Sequence, residues 1–534
     1  NVVVVVVVVL VSSFLVPFER CTVLLLLVDL SLTTPPVPSK TRFFLQRERG
    51  IQTYTHKHTH CGANTPTMST AYRRVQRLSN HFLVGDSQNS SEDFCGQSSC
   101  SSTSAGIPNG EMLKGIRIIE LCTVIAAPTA CAQLADLGAD VIKVESPKAP
   151  DMSRAWGHND DPKRTADPEM QRALKERRGG GGSSYIQINR GKRSVLVDFQ
   201  KPEGVAIVKQ LMETADVFVT NIRLQGLKKV GLDFETVHKE FPRLIYAHFT
   251  AFGRDGPKVN DPGYDYGAFW ANTGIGDIVR TSDESSTVRV PAGFGDNASA
   301  TQLAGWIGMA LYHREVTGEG QLVDATLFRA GLNSMTQLIM QYLGGNPFGN
   351  SKGARHVRST SRFGERVTMV TNATFLCKDN VLVQFLGEDM RRHVKKTMKA
   401  LGVSIKDLFG SDQPRYSSFT ADQWREVTKK IDAVMASKTY EEWKPILKEH
   451  DVWHVVVQRF ENMMQDEQVH ATGMLVDVPG LKHKLFKAPI YMGADQAIPT
   501  RNAPHFGQHT QEILSEIGYN DEALERLRKA GVVR

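Results

Sequence analysis

Asp296 is the side chain whose neighbours most favour chemistry. It follows Gly293 and Gly295 in the stretch 289–324, RVPAGFGDNASATQLAGWIGMALYHREVTGEGQLVD. Glycines beside a carboxylate allow a second molecule to approach the backbone closely. The apolar residues that follow recur at helical spacing, so a helix is predicted to about Arg314, with Asp296 at or just before its N-terminus. Aspartate is also a favoured helix N-cap, worth about 1 kcal/mol, so the local pattern alone leaves a structural role open.

The helix after Asp296 needs one buried face to hold the carboxylate in place. Leu303, Ile307 and Ala310 share that face in a 3.6-residue period. Glycines then end the helix, and residues 321–327 are predicted to form a strand.

The first part of the sequence with regular periodicity predicts a β-α-β unit. Residues 116–121 (IRIIEL) and 140–144 (DVIKV) read as strands, and Pro128 suits the first turn of the helix between them. Two further strands, 195–198 and 217–220, flank another predicted helix. Strands that alternate with helices predict an α/β fold with a parallel sheet and right-handed crossovers.

The turn from Val124 to Pro128 joins the first strand to its helix. It lacks G-x-G-x-x-G, so no dinucleotide fingerprint is present. Small residues before a helix N-terminus nevertheless offer backbone N–H groups to an anionic ligand.

Composition excludes several classes of protein. The chain has 534 residues, 41% hydrophobic and 23% charged, which is typical of a globular protein with two or three domains. The net charge of +7 comes without a basic, aromatic-rich run, so no nucleic-acid partner is expected. Seven cysteines without close pairing predict neither a disulfide framework nor a metal site, and favour a reducing compartment.

The first 112 residues are predicted to be a disordered, low-complexity extension. Their opening apolar run is about fifteen residues long, short of the ~20 that span a membrane, so no membrane partner is expected. No methionine precedes Met68, and we hypothesise that translation starts there. Residues 68–85 are rich in Arg and poor in acids, as in a mitochondrial transit peptide, and the Ser-rich segment 87–110 reads as a linker. A mitochondrial or cytoplasmic location is expected.

Several blocks in order resemble the class III CoA-transferases, the CaiB/BaiF or formyl-CoA transferase-like family. The resemblance covers about residues 113–534. Its blocks are LKGIRIIEL, KRSVLVDF, KPEG, ADVFVTN, GLDF, PRLIYA, FGRDGP, PGYDYG, GFGD, HREVTGEGQLVD and HFGQHTQEIL.

This resemblance implies a particular architecture. A Rossmann-like large domain, residues 113–343, is expected to be split by a small α+β domain, residues 344–436. Residues 437–534 would form a linker and return to the large domain. Family members form interlocked, ring-shaped homodimers, so a homodimer is expected.

The resemblance also implies a reaction and its residues. CoA would move from an acyl-CoA to a free carboxylic acid through anhydride and thioester intermediates on Asp296. CoA would be a substrate, with no permanently bound cofactor and no metal. The expected contacts fall into two sets. The CoA-binding residues are Val124, Ile125, Ala126, Asn221, Lys229 and Tyr264, and the acyl or oxyanion residues are Gly293, Gly295 and Asp265.

The sequence departs from the family pattern in two places, and it leaves two alternative functions open. Lys229 stands where relatives use Arg, and no glycine-rich run follows residue 323 as in formyl-CoA transferases. A 2-methylacyl-CoA racemase shares this fold, but it uses a histidine where this chain has Tyr264, a poor base near neutral pH. A catalytically silent CoA-binding protein is the other rival. The acids are not evident from the sequence, and succinyl-CoA with a dicarboxylic acceptor is the leading expectation if the chain is mitochondrial.

Overall fold

A computed structural model describes most of the chain after residue 110. The described residues are 4–8, 24–28, 43–46, 51–54, 111–156, 181–280, 284–346, 370–490, 498–499 and 501–534. The chain divides into two compact units, residues 1–101 and 102–534. The proposed start at Met68, the predicted transit segment and the Ser-rich linker lie outside the described residues.

In the first unit, the described residues form two antiparallel strand pairs. Strand β1 (Val4–Val8) pairs with β2 (Leu24–Val28), and β3 (Phe43–Gln46) pairs with β4 (Ile51–Tyr54). The sequence analysis predicted that residues 1–112 have no regular structure, and these four strands differ from that prediction. β-Branched and aromatic residues have high strand propensity, which the low-complexity argument did not weigh.

The second unit is built on a parallel sheet of six strands. They are β5 (Arg117–Leu121), β6 (Asp140–Glu145), β7 (Arg193–Leu196), β8 (Val217–Thr220), β9 (Ile245–Thr250) and β10 (Leu322–Thr326). Their order is β10-β9-β8-β5-β6-β7, and every neighbouring pair is parallel. The predicted α/β class with a parallel sheet is confirmed. This order reverses direction between β5 and β8, where such sheets bind ligands beyond the carboxyl ends of their strands.

Helices cover both faces of this sheet. Side chains alternate along each strand, so Ile118 lies in one hydrophobic core and Ile119 in the other. The first core contains helices α1 (Ala126–Asp136) and, from further along the chain, α7 (Phe294–Thr317). The second core contains α3 (Pro202–Glu213), α4 (Leu224–Val230), α5 (Phe234–Glu240), α16 (Thr510–Glu516) and α17 (Asp521–Lys529). Short helices α2 (Ser183–Asn189) and α6 (Ile275–Ile278), with α8 (Leu327–Ser334) and α9 (Thr336–Leu343), complete this region.

A third hydrophobic core lies in residues 370–452. Its antiparallel strands are β11 (Thr374–Leu376), β12 (Leu382–Phe385) and β13 (His454–Val456), and its helices are α10 (Met390–Leu401), α11 (Ile405–Phe409), α12 (Ala421–Met435) and α13 (Tyr440–Glu449). The predicted end of the small domain at Ala436 falls inside this core. Trp443 and Leu447 of α13 are buried in it, and β13 pairs with β12.

The C-terminal segment contacts the parallel sheet again, at the edge formed by β7. The Leu196 N–H donates to Thr510 Oγ1 at 3.2 Å, and the Ser194 N–H donates to His509 Nδ1 at 3.1 Å. Short elements connect the third core to this segment: α14 (Phe460–Met463), α15 (Glu467–Ala471), β14 (Leu475–Val476) and β15 (Leu485–Phe486). Among the described residues, no helix combines the length and apolarity needed to span a membrane.

Candidate active site

A cavity of about 310 Å³ opens where the strand order reverses. Most of its wall is formed by residues at or after the ends of three neighbouring strands, β5, β8 and β9, and Met152, Leu327 and one residue of helix α7 complete it. The lining residues include Val124, Ile125 and Ala126 after β5, Asn221 and Arg223 after β8, Phe252, Asp261 and Tyr264 after β9, and Asp296. Residues far apart in the sequence, six of them predicted for one site, therefore meet in one place.

The turn after β5 forms one wall and is tied to the turn after β8. Asn221 Oδ1 accepts from the Thr123 N–H at 3.1 Å, and Asn221 Nδ2 donates to the Thr123 carbonyl at 2.7 Å. This pair of hydrogen bonds fixes the two turns against each other. Asn221 lines the cavity, but both polar groups of its amide are engaged with the protein.

Asp296 lies in the first turn of α7. The helix begins at Phe294 with Gly293 as its N-cap, so Asp296 is its third residue and not the predicted capping residue. Asp296 is only 9% exposed but lines the cavity. Its helix also follows the predicted packing, because Leu303, Ile307 and Ala310 are buried in the first core.

The electrostatic setting raises the pKa of Asp296 to about 7. Burial of the carboxylate is the main cause, and the nearby Asp265 carboxylate adds repulsion. Among the described residues, no cation or hydrogen-bond donor is paired with the Asp296 side chain. The Asp296 carboxyl group therefore titrates near neutral pH, and its carboxylate form is available to a ligand.

Asp265 acts on this site from behind the cavity wall. Its side chain is 4% exposed, and its Oδ2 accepts from the Gly293 N–H at 3.1 Å. The same carboxylate accepts from the Tyr266 N–H at 2.9 Å through Oδ1. Asp265 was predicted to contact the substrate. In the structure it is not among the residues that line the cavity, and its carboxylate instead holds the start of α7.

The two predicted glycines have structural reasons of their own. Gly293 has a φ of +86°, a left-handed conformation that suits glycine. Its N–H is taken by Asp265, so it is not free for an oxyanion. A Cβ on Gly295 would lie 2.5 Å from Cγ of Phe269, so close packing, rather than approach of a ligand, requires glycine there. The N–H groups of Gly295 and Asp296 still lie in the first helical turn, where they lack partners within the helix.

The remaining predicted residues divide between two cavities. Tyr264 lines the Asp296 cavity and is 61% exposed. Lys229 does not reach it. This lysine lines a second cavity, of about 260 Å³, with Phe199, Gln200 and Ile222.

Sequence reasoning missed several residues of this region, among them Arg223 and Asp151. Arg223 is the cation among the residues that line the Asp296 cavity. Its position two residues after Asn221, at the end of a predicted strand, is the signal that could have found it. Asp151 lies behind the turn after β5 and accepts from the Val124 N–H at 3.2 Å. No local pattern marks that contact.

The part of the chain that the structure describes contains no cluster of three or more His, Cys, Asp or Glu side chains suited to a metal ion. The arrangement instead places the Asp296 carboxylate, which is unpaired among the described side chains, in the same helical turn as free backbone N–H groups. It can support either attack by the carboxylate on an electrophile or transfer of a proton near neutral pH.

Comparison with known proteins defines the family. A model of CoA-transferase family III matches residues 113–510, so the chain belongs to CoA-transferase family III. It is 29% identical over 430 residues to the cinnamoyl-CoA:phenyllactate CoA-transferase of Clostridium sporogenes, covering 79% of this chain and 97% of that protein. It is 30% identical over 432 residues to the succinate–glutarate CoA-transferase of Agrobacterium fabrum, covering 78% and 96%.

Two further similarities bear on fold and activity. The chain is 27% identical over 431 residues to the α-methylacyl-CoA racemase of Homo sapiens, covering 79% and 97%. Among solved structures, a CaiB/BaiF family protein from Brucella suis aligns with a TM-score of 0.60 and 26% identity, covering 76% of this chain and 99% of that one. The predicted resemblance to the CaiB/BaiF family is confirmed.

Proposed function

We propose that this chain transfers CoA from an acyl-CoA to a free carboxylic acid, with Asp296 as the nucleophile. The observation that carries the proposal is the Asp296 carboxylate, which has no partner among the described residues and lies in a cavity at the point where the strand order reverses. Family membership supports CoA transfer in general. The mechanism on Asp296 and the identity of the two acids are the parts proposed here.

Each step moves one acyl group and leaves the proton balance unchanged. The Asp296 carboxylate attacks the thioester carbonyl, and CoA leaves as a thiolate, giving a mixed anhydride. The thiolate attacks the Asp296 carbonyl carbon and releases the donor acid, giving an aspartyl-CoA thioester. The acceptor carboxylate then attacks this thioester, and the same two steps run in reverse. We expect the N–H groups at the start of α7 to stabilise the negative charge that develops on the carbonyl oxygen.

The test uses the full chain with a panel of acyl-CoAs and free acids, following new acyl-CoA by chromatography. Wild type is expected to form a new thioester, and Asp296→Asn is expected to lose this activity. Asp477→Asn is a matched control, because this aspartate is exposed on the surface (side chain 84% exposed) and outside the cavity. Hydroxylamine should trap the intermediate as a hydroxamate located on Asp296 by peptide mass spectrometry. Full activity in Asp296→Asn would refute the mechanism.

A racemase is the second candidate, because a carboxyl pKa of about 7 also suits proton transfer near neutral pH. Tyr264 opposes it, since this residue stands where the racemases use a histidine base. The same protein incubated with a chiral 2-methylacyl-CoA in D2O separates the two. Exchange of the α-proton without CoA transfer would favour the racemase, and CoA binding with neither activity would indicate a silent binding protein.

For the acids, we propose succinyl-CoA and a dicarboxylic acceptor. Support comes from Arg223, a cation in the same cavity as Asp296, and from the relative that acts on succinate and glutarate. Arg223→Gln is expected to raise KM for succinyl-CoA more than for butyryl-CoA, which lacks the second carboxylate. Equal increases for both would place Arg223 on the CoA phosphates instead. A mitochondrial or cytoplasmic location remains part of the proposal and can be tested with a fluorescent fusion.

We also propose that the chain works as a homodimer. Helix α7 carries an exposed apolar stripe formed by Trp306, Met309, Tyr312 and Val316, with exposed fractions from 48% to 66%. A contiguous apolar surface of this kind marks an interaction site.

A further inference from the structure

The turn after β5 contains a strained residue. Val124 has a φ of +72°, in the left-handed region that β-branched residues rarely occupy. A residue held there costs free energy and persists only where its surroundings fix it. Val124 also lines the Asp296 cavity. The surroundings that fix it therefore bear on how the cavity receives a ligand.

Asp151 holds the strained residue directly. Its Oδ1 accepts from the Val124 N–H at 3.2 Å, and it also accepts from the Ser153 N–H at 2.9 Å and the Ser153 hydroxyl at 2.7 Å. Its Oδ2 lies 3.0 Å from Lys143 Nζ. Asp151 is 1% exposed and Lys143 fully buried, so these contacts are made without competition from solvent.

Two buried lysines bind the backbone on either side of the same turn. Lys143 Nζ donates to the Cys122 carbonyl at 2.8 Å, just before the turn. Lys192 Nζ donates to the Pro128 carbonyl at 2.8 Å, just after it. Glu120 joins the two lysines, with Oε1 3.0 Å from Lys143 Nζ and Oε2 2.6 Å from Lys192 Nζ.

The neighbours of Asp151 compensate the cost of burying its charge. Burial by itself raises the pKa of Asp151, but the Lys143 ammonium and the Ser153 hydrogen bonds outweigh it and lower the pKa below its usual range. Asp151 therefore stays ionised at neutral pH and accepts from Val124 as a carboxylate, which makes a stronger acceptor than a neutral group.

We propose that Asp151 is a positioning residue, which with Lys143 and Lys192 holds the strained turn around Val124 in the conformation that binds acyl-CoA. This inference rests on the proposed CoA transfer. Asp151 itself does not line the cavity, so it acts through the turn and not on the substrate.

The test compares Asp151→Ala with Asp136→Ala. Asp136 is a matched control: it is fully buried, pairs with Arg190 and accepts from the Ala488 N–H at 2.8 Å, but it lies outside the cavity. Both variants are expected to lower Tm. Only Asp151→Ala is expected to raise KM for acyl-CoA, by about tenfold, with a smaller change in kcat. Asp151→Asn keeps an oxygen acceptor for Val124 and should recover part of the loss. If the alanine variants do not fold, the two asparagine variants provide the same comparison.

Val124→Gly tests the role of strain. Glycine adopts this φ without restraint, so in the Val124→Gly chain the same Asp151 substitution should raise KM by less than about threefold. An equal effect in both backgrounds, or an equal rise in KM for the Asp136 variant, would overturn the proposal and leave Asp151 with a purely structural role.

Hydrogen exchange measured by mass spectrometry separates this proposal from the proposed function. The segment 123–127 should exchange faster in Asp151→Ala and unchanged in Asp136→Ala, whether or not the wild type transfers CoA. If the wild type does not transfer CoA but segment 123–127 exchanges faster in Asp151→Ala than in the wild type, only the proposed function is refuted. If the wild type transfers CoA but segment 123–127 exchanges at the same rate in the wild type and in Asp151→Ala, the positioning role is refuted.

Discussion

The Asp265 carboxylate accepts a hydrogen bond from the Gly293 N–H, with Oδ2 and the nitrogen 3.1 Å apart, three residues before Asp296. Asp265 thus fixes the start of helix α7 and also places a negative charge near the Asp296 carboxylate. Asp265 therefore supports the position of Asp296 and also adds to the rise in its pKa, whose main cause is burial. These two effects can be separated by substitution.

The first prediction concerns the pH dependence of turnover. Because the attacking form of Asp296 is the carboxylate, kcat/KM should rise with pH through an apparent pKa of about 7. Asp265→Asn removes the neighbouring negative charge but keeps an oxygen that can accept from Gly293. We therefore expect this variant to shift the acid limb to lower pH in a pH–rate profile. An acid limb at the same pH in both proteins would contradict the assigned interaction.

The second prediction concerns stability. The pKa of Asp296 in the folded chain, about 7, lies above the unfolded value near 3.9, so folding favours the protonated form. The wild type should therefore lose stability relative to Asp296→Asn as pH rises from about 4 to about 7, by at most ~4 kcal/mol at 1.36 kcal/mol per pKa unit. Urea denaturation at pH 5 and pH 8 measures the part of this loss that falls above pH 5, at most about 2.7 kcal/mol. The difference in stability between the wild type and Asp477→Asn should be the same at both pH values.

The third prediction concerns the glycine beside the nucleophile. In Gly295→Ala, the new Cβ would lie 2.5 Å from Cγ of Phe269, so the start of α7 must shift. A displacement of about 1 Å can cost ~100-fold in rate, and we expect a loss of that order together with a lower Tm. Asn297→Ala places a methyl group at an exposed position of the same turn and should retain activity. Wild-type turnover in Gly295→Ala would show that this packing does not position Asp296.

The fourth prediction concerns assembly. If the apolar stripe on α7 is covered by a second copy, the chain should sediment at twice its mass of 59.2 kDa. Trp306→Glu places a charge in that stripe and should shift the equilibrium to monomer, as measured by analytical ultracentrifugation. Lys395→Glu also introduces a glutamate, but at an exposed position of helix α10 away from the stripe, and should leave the dimer intact. A monomeric wild type would refute the proposed homodimer.

Local sequence patterns predicted much of the parallel sheet. Strand β8 occupies the predicted residues 217–220, because a run of apolar and β-branched side chains marks a buried strand. Strand β7 begins two residues before its predicted start, at Arg193. Arg193 is a charged residue at the start of this strand, and its ion pairs with Asp140 and Glu516 compensate the charge, but those partners are distant in the sequence.

The site was predicted in part for the same reason. Asn221 follows a recognisable strand, Asp296 lies at the start of a recognisable helix, and family blocks marked both of them. The contact between Asp151 and Val124 joins two elements, and the left-handed conformation of a valine runs against its local preference. Likewise, the third core extends beyond Ala436 because β13 pairs with β12, and no local pattern reveals that pairing.

The buried charges behind the Val124 turn also constrain how this chain can evolve. Glu120 and Asp151 balance Lys143 and Lys192, and all four side chains are at most 1% exposed. Losing one of them leaves an uncompensated charge in the interior, which typically costs 3–5 kcal/mol, whereas replacing an acid and its lysine together by apolar residues is often tolerated. Among descendants of a common ancestor, substitutions at these four positions should therefore occur in acid–lysine pairs, and single replacements should be rare.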